Sequence, residues 1–337
     1  MDPRKTVVQA LAGTAMAALL AACATAQRPP AFIHGAYKDV TIAFDPQTHL
    51  LSTDVAGRRQ PVTEVLRPGA TLTWGFANGE CGAETLSGLD AAAVAAANVA
   101  AFNRAGIGYV VSTGGEAGVF TCGSDAGMEA FIARYASPRL VGIDFDIEGK
   151  QTPEMVEALV KRIAVAQRRH PQLRFSFTLA TLAASDGSRA GLNALGQRVL
   201  DTIRAQGLAR YTINLMAMDY GPPAASSCVV ARGVCDMGRS AIQAAENLHV
   251  LHAVPYAQIE LTAMLGGNDV ADNDVLPEDA QVIARYAKEL HLAGVHFWSL
   301  DRDRPCPRPA SGASPLCSGL DQVPALRYSA AFDPAPR

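Results

Sequence analysis

Two periodicities take turns along the chain. Short runs rich in β-branched and aromatic residues stand at Val40–Phe44, Thr71–Ala77, Tyr109–Ser112, Val141–Ile147, Phe175–Leu179, Ile213–Met218, Ile259–Met264 and Gly294–Ser299. Such runs read as strands. Ala-rich stretches with apolar residues at helical spacing fill the gaps, at Leu89–Asn103, Met128–Tyr135, Pro153–Arg169, Ala190–Ala205, Ser240–His252 and Pro277–Leu290. The start of the last is well marked, because Pro277 suits a first turn and Glu278 and Asp279 sit at the positive end of the helix dipole. Strands alternating with helices build a parallel sheet covered by helices. Eight such strands predict an α/β protein closed as a (β/α)8 TIM barrel. An open, doubly wound sheet is the alternative, but the first strand is not followed by a Gly-x-Gly-x-x-Gly turn.

The ends of the chain read differently. Arg4 and Lys5 precede a mostly apolar stretch from Val7 to Leu20, followed by small residues. Residues 1–22 therefore read as a secretory signal, too short and too polar for a membrane span. Leu20-Ala21-Ala22-Cys23 resembles a bacterial lipobox, which would make Cys23 a lipidated new N-terminus. Ordinary cleavage after Ala24-Thr25-Ala26 is the alternative. Ala24 after the cysteine resembles the outer-membrane sorting pattern of a Gram-negative source; otherwise the protein would be periplasmic or secreted. Residues 23–36 read as a tether, 37–325 as the barrel and 326–337 as an irregular end, with a Pro- and Cys-rich stapled loop from Arg304 on.

Cysteine usage fits export. Cys81, Cys122, Cys228, Cys235, Cys306 and Cys317 form an even set, which implies disulfides that stabilise loops. Six cysteines allow fifteen pairings. Local pairs Cys228–Cys235 and Cys306–Cys317 would each close a short loop, and Cys81–Cys122 would then join two neighbouring ones. Zinc is disfavoured, since no Cys-x-x-Cys pair occurs. A net charge of −3 gives no electrostatic case for nucleic acid. Membrane contact is expected only through the lipid, and the protein is expected to be a monomer.

The chemistry concentrates in one strand. Leu140-Val141-Gly142-Ile143 is apolar on both faces, as a buried parallel strand is, and leads into Asp144-Phe145-Asp146-Ile147-Glu148-Gly149. Period two turns Asp144, Asp146 and Glu148 to one face at roughly 6–7 Å intervals, and Phe145 and Ile147 to the other. Carboxyls that close repel, so one proton stays on the set near neutral pH. A protonated carboxyl beside ionised ones is what acid-catalysed bond cleavage needs. An exposed acidic edge is the plainer reading. The apolar run leading into the acids argues against it, because barrels carry their chemistry at the C-terminal ends of strands.

This stretch resembles the Asp-x-x-Asp-x-Asp-x-Glu signature of glycoside hydrolase family 18, the chitinases and their relatives. Glu148, Asp146 and Asp144 fall on its last three acids, and Val141 replaces its first. Ile213 to Gly221 resembles the family's sixth-strand Met-x-Tyr-Asp motif. Met216 and Asp219 match it, while Met218 stands where the family has Tyr. Period two would put Met216, Met218 and Tyr220 on one face, so Tyr220 is expected to supply the missing hydroxyl. Core filling is the ordinary alternative for the methionines. Ser112-Thr113-Gly114-Gly115 resembles the third-strand Ser-x-Gly-Gly, where small residues let the backbone pass close to the catalytic strand. Phe76 resembles the second-strand Ala-Phe-Ala element, and Trp298 the last-strand Trp beneath the sugar. Trp74 reads as core, and Asp301 and Asp303 as partners of Arg302 and Arg304. The pieces come in the family's order and look most like the single-domain bacterial chitinases.

The resemblance implies a retaining, substrate-assisted glycosidase, an exception to the two-carboxylate scheme. Glu148 would protonate the glycosidic oxygen and later activate water. Asp146 would orient the substrate's acetamido N–H, Asp144 would hydrogen-bond Asp146 and share its proton, and Tyr220 would hold the acetamido oxygen. Met216, Met218, Asp219, Trp298, Phe76, Gly114 and Gly115 would line the substrate site. The implied substrates are β-1,4-linked N-acetylglucosamine oligomers or chitin, with no metal and no cofactor. An endo-β-N-acetylglucosaminidase acting on glycans is one alternative. A catalytically inactive sugar-binding lipoprotein is another, and Glu148 argues against it. With 2 Trp and 6% aromatics there is little for a stacking ramp, so short or soluble chains are expected over crystalline chitin.

Overall fold

The computed structural model describes residues 31–333 other than 68, 189 and 308–311. The barrel strands are β1 Ile33–Asp39, β2 Thr71–Glu80, β3 Gly108–Gly114, β4 Leu140–Asp146, β5 Arg174–Ala180, β6 Thr212–Ala217, β7 Ile259–Met264 and β8 Gly294–Trp298. Each is parallel to the next, β8 is parallel to β1, and pairing of β1 with β2 closes the ring. The (β/α)8 barrel expected from the alternation is the observed fold.

Helices α1 Ala91–Ala105, α2 Asp125–Tyr135, α3 Pro153–Arg169, α4 Ala194–Ala205, α5 Met237–His252 and α6 Pro277–Glu289 follow β2 to β7 in turn, and α7 Arg327–Phe332 follows β8. Side chains cap the helix starts. Asp90, Ser124, Thr152, Asn193 and Asp236 each accept a hydrogen bond from a backbone N–H of the first turn. β1 leads instead into a hairpin of Ser52–Val55 against Arg58–Pro61.

The apolar core lies between barrel and helices. Trp74, Val111, Ile143, Phe145, Phe177, Leu215, Leu261 and Val295 are fully or almost fully buried there, each side chain contributing about 1.5–3 kcal/mol. The barrel interior is polar. Towards its N-terminal end Glu260 contacts Arg174 at 3.1 Å and His296 at 2.6 Å. Burial raises the Glu260 pKa, but the charge of Arg174 and the hydrogen bond and charge of His296 outweigh it and hold it at about 2.

Several expectations need correction. The first strand is Ile33–Asp39, so residues 33–36 are not tether. Val40–Phe44 alternates like a strand but runs through a turn, with Ala43 at φ 55° and the Lys38 amine donating to the Ile42 carbonyl at 2.8 Å. Residues 327–332 are helical rather than irregular, because Tyr328, Ala331 and Phe332 find apolar neighbours. Asp301 pairs with Lys38 at 2.8 Å, and Asp303 accepts from the amides of Tyr328 and Ser329. Arg302 and Arg304 donate to backbone carbonyls, and Arg304 also pairs with Asp54. A 3-10 turn sends successive side chains in different directions, so neighbours in sequence do not pair.

Trp74 is core, as expected. The disulfides are Cys81–Cys122, Cys228–Cys235 and Cys306–Cys317. The stretch expected to be a signal segment, Cys23 and the last four residues lie outside the described residues. Among the described residues, no helix is long and apolar enough to cross a membrane.

Candidate active site

The parallel register sets the level of each acid. Asp144 lies between Ser112 of β3 and Ser176 of β5, and Asp146 between Gly114 and Thr178. Asp144 consequently sits among hydroxyls. It accepts from Ser112 Oγ at 2.6 Å, Tyr37 OH at 3.0 Å, Ser176 Oγ at 2.6 Å and Thr178 Oγ1 at 2.8 Å. Burial pushes its pKa up, and these hydrogen bonds pull it back. They use the carboxylate's accepting capacity, and the hydrogen bond of Asp146 runs to Glu148 instead. None of these contacts joins Asp144 to Asp146, the pair expected to share a proton, and the acid beside Asp146 is Glu148.

Asp146 is 4% exposed, and its Oδ1 has no hydrogen-bond partner. Burial, then the charges of Glu148 and Asp144, push its pKa well above the ordinary carboxylate range. Glu148 follows the strand and is part-buried. Burial and then the charge of Glu116 raise its pKa, while Asp146 and Lys150 lower it. Both pKa values are thus pushed upward. Desolvation is the larger cause, and repulsion comes second.

These two acids open into a cavity of about 790 Å³ at the C-terminal end of the barrel. Trp298 and Phe76 stack in its lining, with ring centroids 5.7 Å apart, and Tyr37 lies 6.3 Å from Trp298. Met216, Met218 and Asp219 line it as expected, joined by Met264, Thr181, Asn193 and Asp269. Asp219 accepts from the Val270 amide at 3.0 Å, which ties the loop after β7 to that after β6.

Three expected residues sit elsewhere. Tyr220 is 2% exposed and does not line the cavity. β6 ends at Ala217, Asp219 takes φ 50°, and the two-residue period breaks before it reaches Tyr220. The phenol that lines the cavity is Tyr37. Gly114 and Gly115 do not line it either. A Cβ on Gly114 would meet the Asp146 carbonyl, and one on Gly115 would meet the Phe76 ring at 3.0 Å. They bring β3 close to the acid-bearing β4.

Tyr37, Glu116 and Asp269 were missed by sequence reasoning. Glu116 and Asp269 lie on the loops that follow β3 and β7, the positional signal that could have found them, whereas Tyr37 lies inside β1. Glu80, Cys81 and Cys122 have metal-ligand proximity. Both cysteines are in a disulfide, however, and Glu80 accepts from Gly123 N and Thr121 Oγ1.

No family model matches the chain. It is 29% identical over 203 residues to a probable bifunctional chitinase/lysozyme of Escherichia coli (strain K12), covering 57% of this chain and 22% of that one. It is 26% identical over 297 residues to endochitinase 11 of Metarhizium anisopliae, covering 82% and 53%. The chain thus spans about half or less of the length of these relatives. Among solved structures it resembles the catalytic domain of the hyperthermophilic chitinase from Pyrococcus furiosus. The TM-score is 0.68 at 22% identity, over 90% of this chain and 95% of that one, a likeness of fold. The chain is thus similar in sequence to two chitinases and in fold to a third, with the acid-bearing β4 at the mouth of the barrel.

Proposed function

We propose that the protein hydrolyses the β-1,4 bond between N-acetylglucosamine units of short or soluble chitin chains, with retention of configuration. The observation that carries this reading is the Asp146–Glu148 pair. One carboxyl can donate a proton into the cavity, while beside it a buried Oδ1 has no partner and awaits an N–H donor. In the first step the Glu148 proton passes to the glycosidic oxygen. The acetamido oxygen attacks the anomeric carbon, and the C–O bond breaks with its electron pair going to the leaving chain. Asp146 orients the acetamido N–H and offsets the positive charge of the oxazolinium ion. In the second step ionised Glu148 takes a proton from water as the water oxygen attacks the anomeric carbon, which restores the acetamido group. Trp298 and Phe76 pack against the apolar face of the sugar.

A mass-spectrometric time course with chitotetraose and a high-mannose glycopeptide tests the substrate. Chitobiose release from chitotetraose is the expected result. Cleavage of the glycopeptide alone would move the protein to the endo-β-N-acetylglucosaminidase reading. Binding of chitotetraose without any product would favour a sugar-binding protein.

The three disulfides suit an oxidising compartment, which supports export, and the Leu20-Ala21-Ala22-Cys23 stretch would then place a lipid on Cys23. Cys23→Ala should then shift the protein from the detergent to the aqueous phase in detergent partitioning. Unchanged partitioning would contradict the anchor.

A further inference from the structure

Charge in the cavity is one-sided. Five carboxyl side chains line it, those of Glu116, Asp146, Glu148, Asp219 and Asp269, and among the described residues no Lys, Arg or His does. Asp146 and Glu148 serve the proposed reaction and Asp219 holds the Val270 amide, which leaves Glu116 and Asp269 with no role toward a neutral sugar chain.

The placement is as informative as the sign. Asp269 follows β7 and Glu116 follows β3, while the aromatic lining comes from β8, β1 and β2 between them. Free carboxylates therefore flank the floor on both sides, and both residues are exposed to what enters. The nearby bases offset part of this charge but do not enter the lining. Lys150 acts on Glu148 from outside it. Arg302 acts on Asp219 and Asp269 from below, with its guanidinium held on the carbonyls of Leu265 and Gly267. The buried Oδ1 of Asp146, which has no partner, is the acceptor for the acetamido N–H of the reacting unit, so the flanking acids are left to the neighbouring units.

We infer that the cavity selects cationic chains, namely partially de-N-acetylated oligomers in which ammonium-bearing glucosamine units flank the acetylated unit that reacts. This rests on the glycosidase reading above and deepens it. The acetamido group is required only where it attacks. At neighbouring units a free ammonium meets Glu116 on one side and Asp269 with Asp219 on the other. Field lines focused in a cleft of one sign raise the local concentration of an oppositely charged substrate, an effect that salt screens.

The test compares chitotetraose with a tetramer of equal length that carries terminal glucosamine units. Wild type and the double variant Glu116→Gln/Asp269→Asn are assayed at low and high salt. The ratio of kcat/KM values, cationic over neutral, should be about 10-fold or more for wild type at low salt. It should fall towards one at high salt and in the double variant. Equal values for the two tetramers, or a preference that survives the double substitution, would overturn the inference while leaving chitinase action standing. Calorimetric binding to Glu148→Gln separates the remaining case. If neither tetramer is cleaved but the cationic one binds more tightly in a salt-sensitive way, the selectivity holds and the glycosidase reading fails. Equal binding would end both.

Discussion

A Cβ built on Gly114 would lie 2.1 Å from the carbonyl oxygen of Asp146, with Gly114 itself at φ 84°. The two strands touch here through bare backbone, just before Glu148. Gly114→Ala would have to move the end of β4 as well as hold a left-handed alanine, which alone costs about 1–3 kcal/mol. We expect kcat to fall at least about 10-fold, as small misplacements of catalytic groups do. The fold should be retained by circular dichroism. Unchanged kinetics would show that the close approach is incidental.

The pH profile should carry the mark of Glu116. Glu148 must be protonated to donate, and burial together with the Glu116 charge raises its pKa. The alkaline limb of kcat/KM therefore lies above the ordinary glutamate range. In Glu116→Gln the repelling charge is gone, so the Glu148 pKa falls and the limb moves to lower pH. Because Asp146 and Glu148 share a proton, the limb reports the pair rather than either acid. A limb that stays put or moves upward in the variant would refute this.

Lys38 and Asp301 form an ion pair 2.8 Å apart with both side chains at most 1% exposed. Burial lowers the lysine and raises the aspartate, and each is held charged by the other. Asp301→Ala would leave a buried, unpaired ammonium, at a cost of about 3–5 kcal/mol. Urea unfolding measures it, and a loss below about 1 kcal/mol would mean that the lysine finds water or another acceptor.

These residues also indicate what the sequence disclosed. The barrel was legible because seven strands keep their apolar runs within three residues of the observed bounds, and α3 is Pro153–Arg169 in both. Asp144, Asp146 and Glu148 were legible because a strand's period is rigid. The first strand was not, because Ile33–Asp39 carries polar His34, Lys38 and Asp39 and owes its place to pairing with β8 and β2. Tyr37 was lost with it. Tyr220 was misplaced because a period cannot foresee the turn at Asp219. Glu116 and Asp269 lie on loops, where no periodicity exists to read.

The most direct test of the central claim is chitobiose release from chitotetraose by wild type and by Glu148→Gln, followed in parallel. If Glu148 is the proton donor, the wild type releases chitobiose. The variant should bind chitotetraose but turn it over about 10²–10⁴-fold more slowly. Equal release by both proteins would contradict the assignment of Glu148.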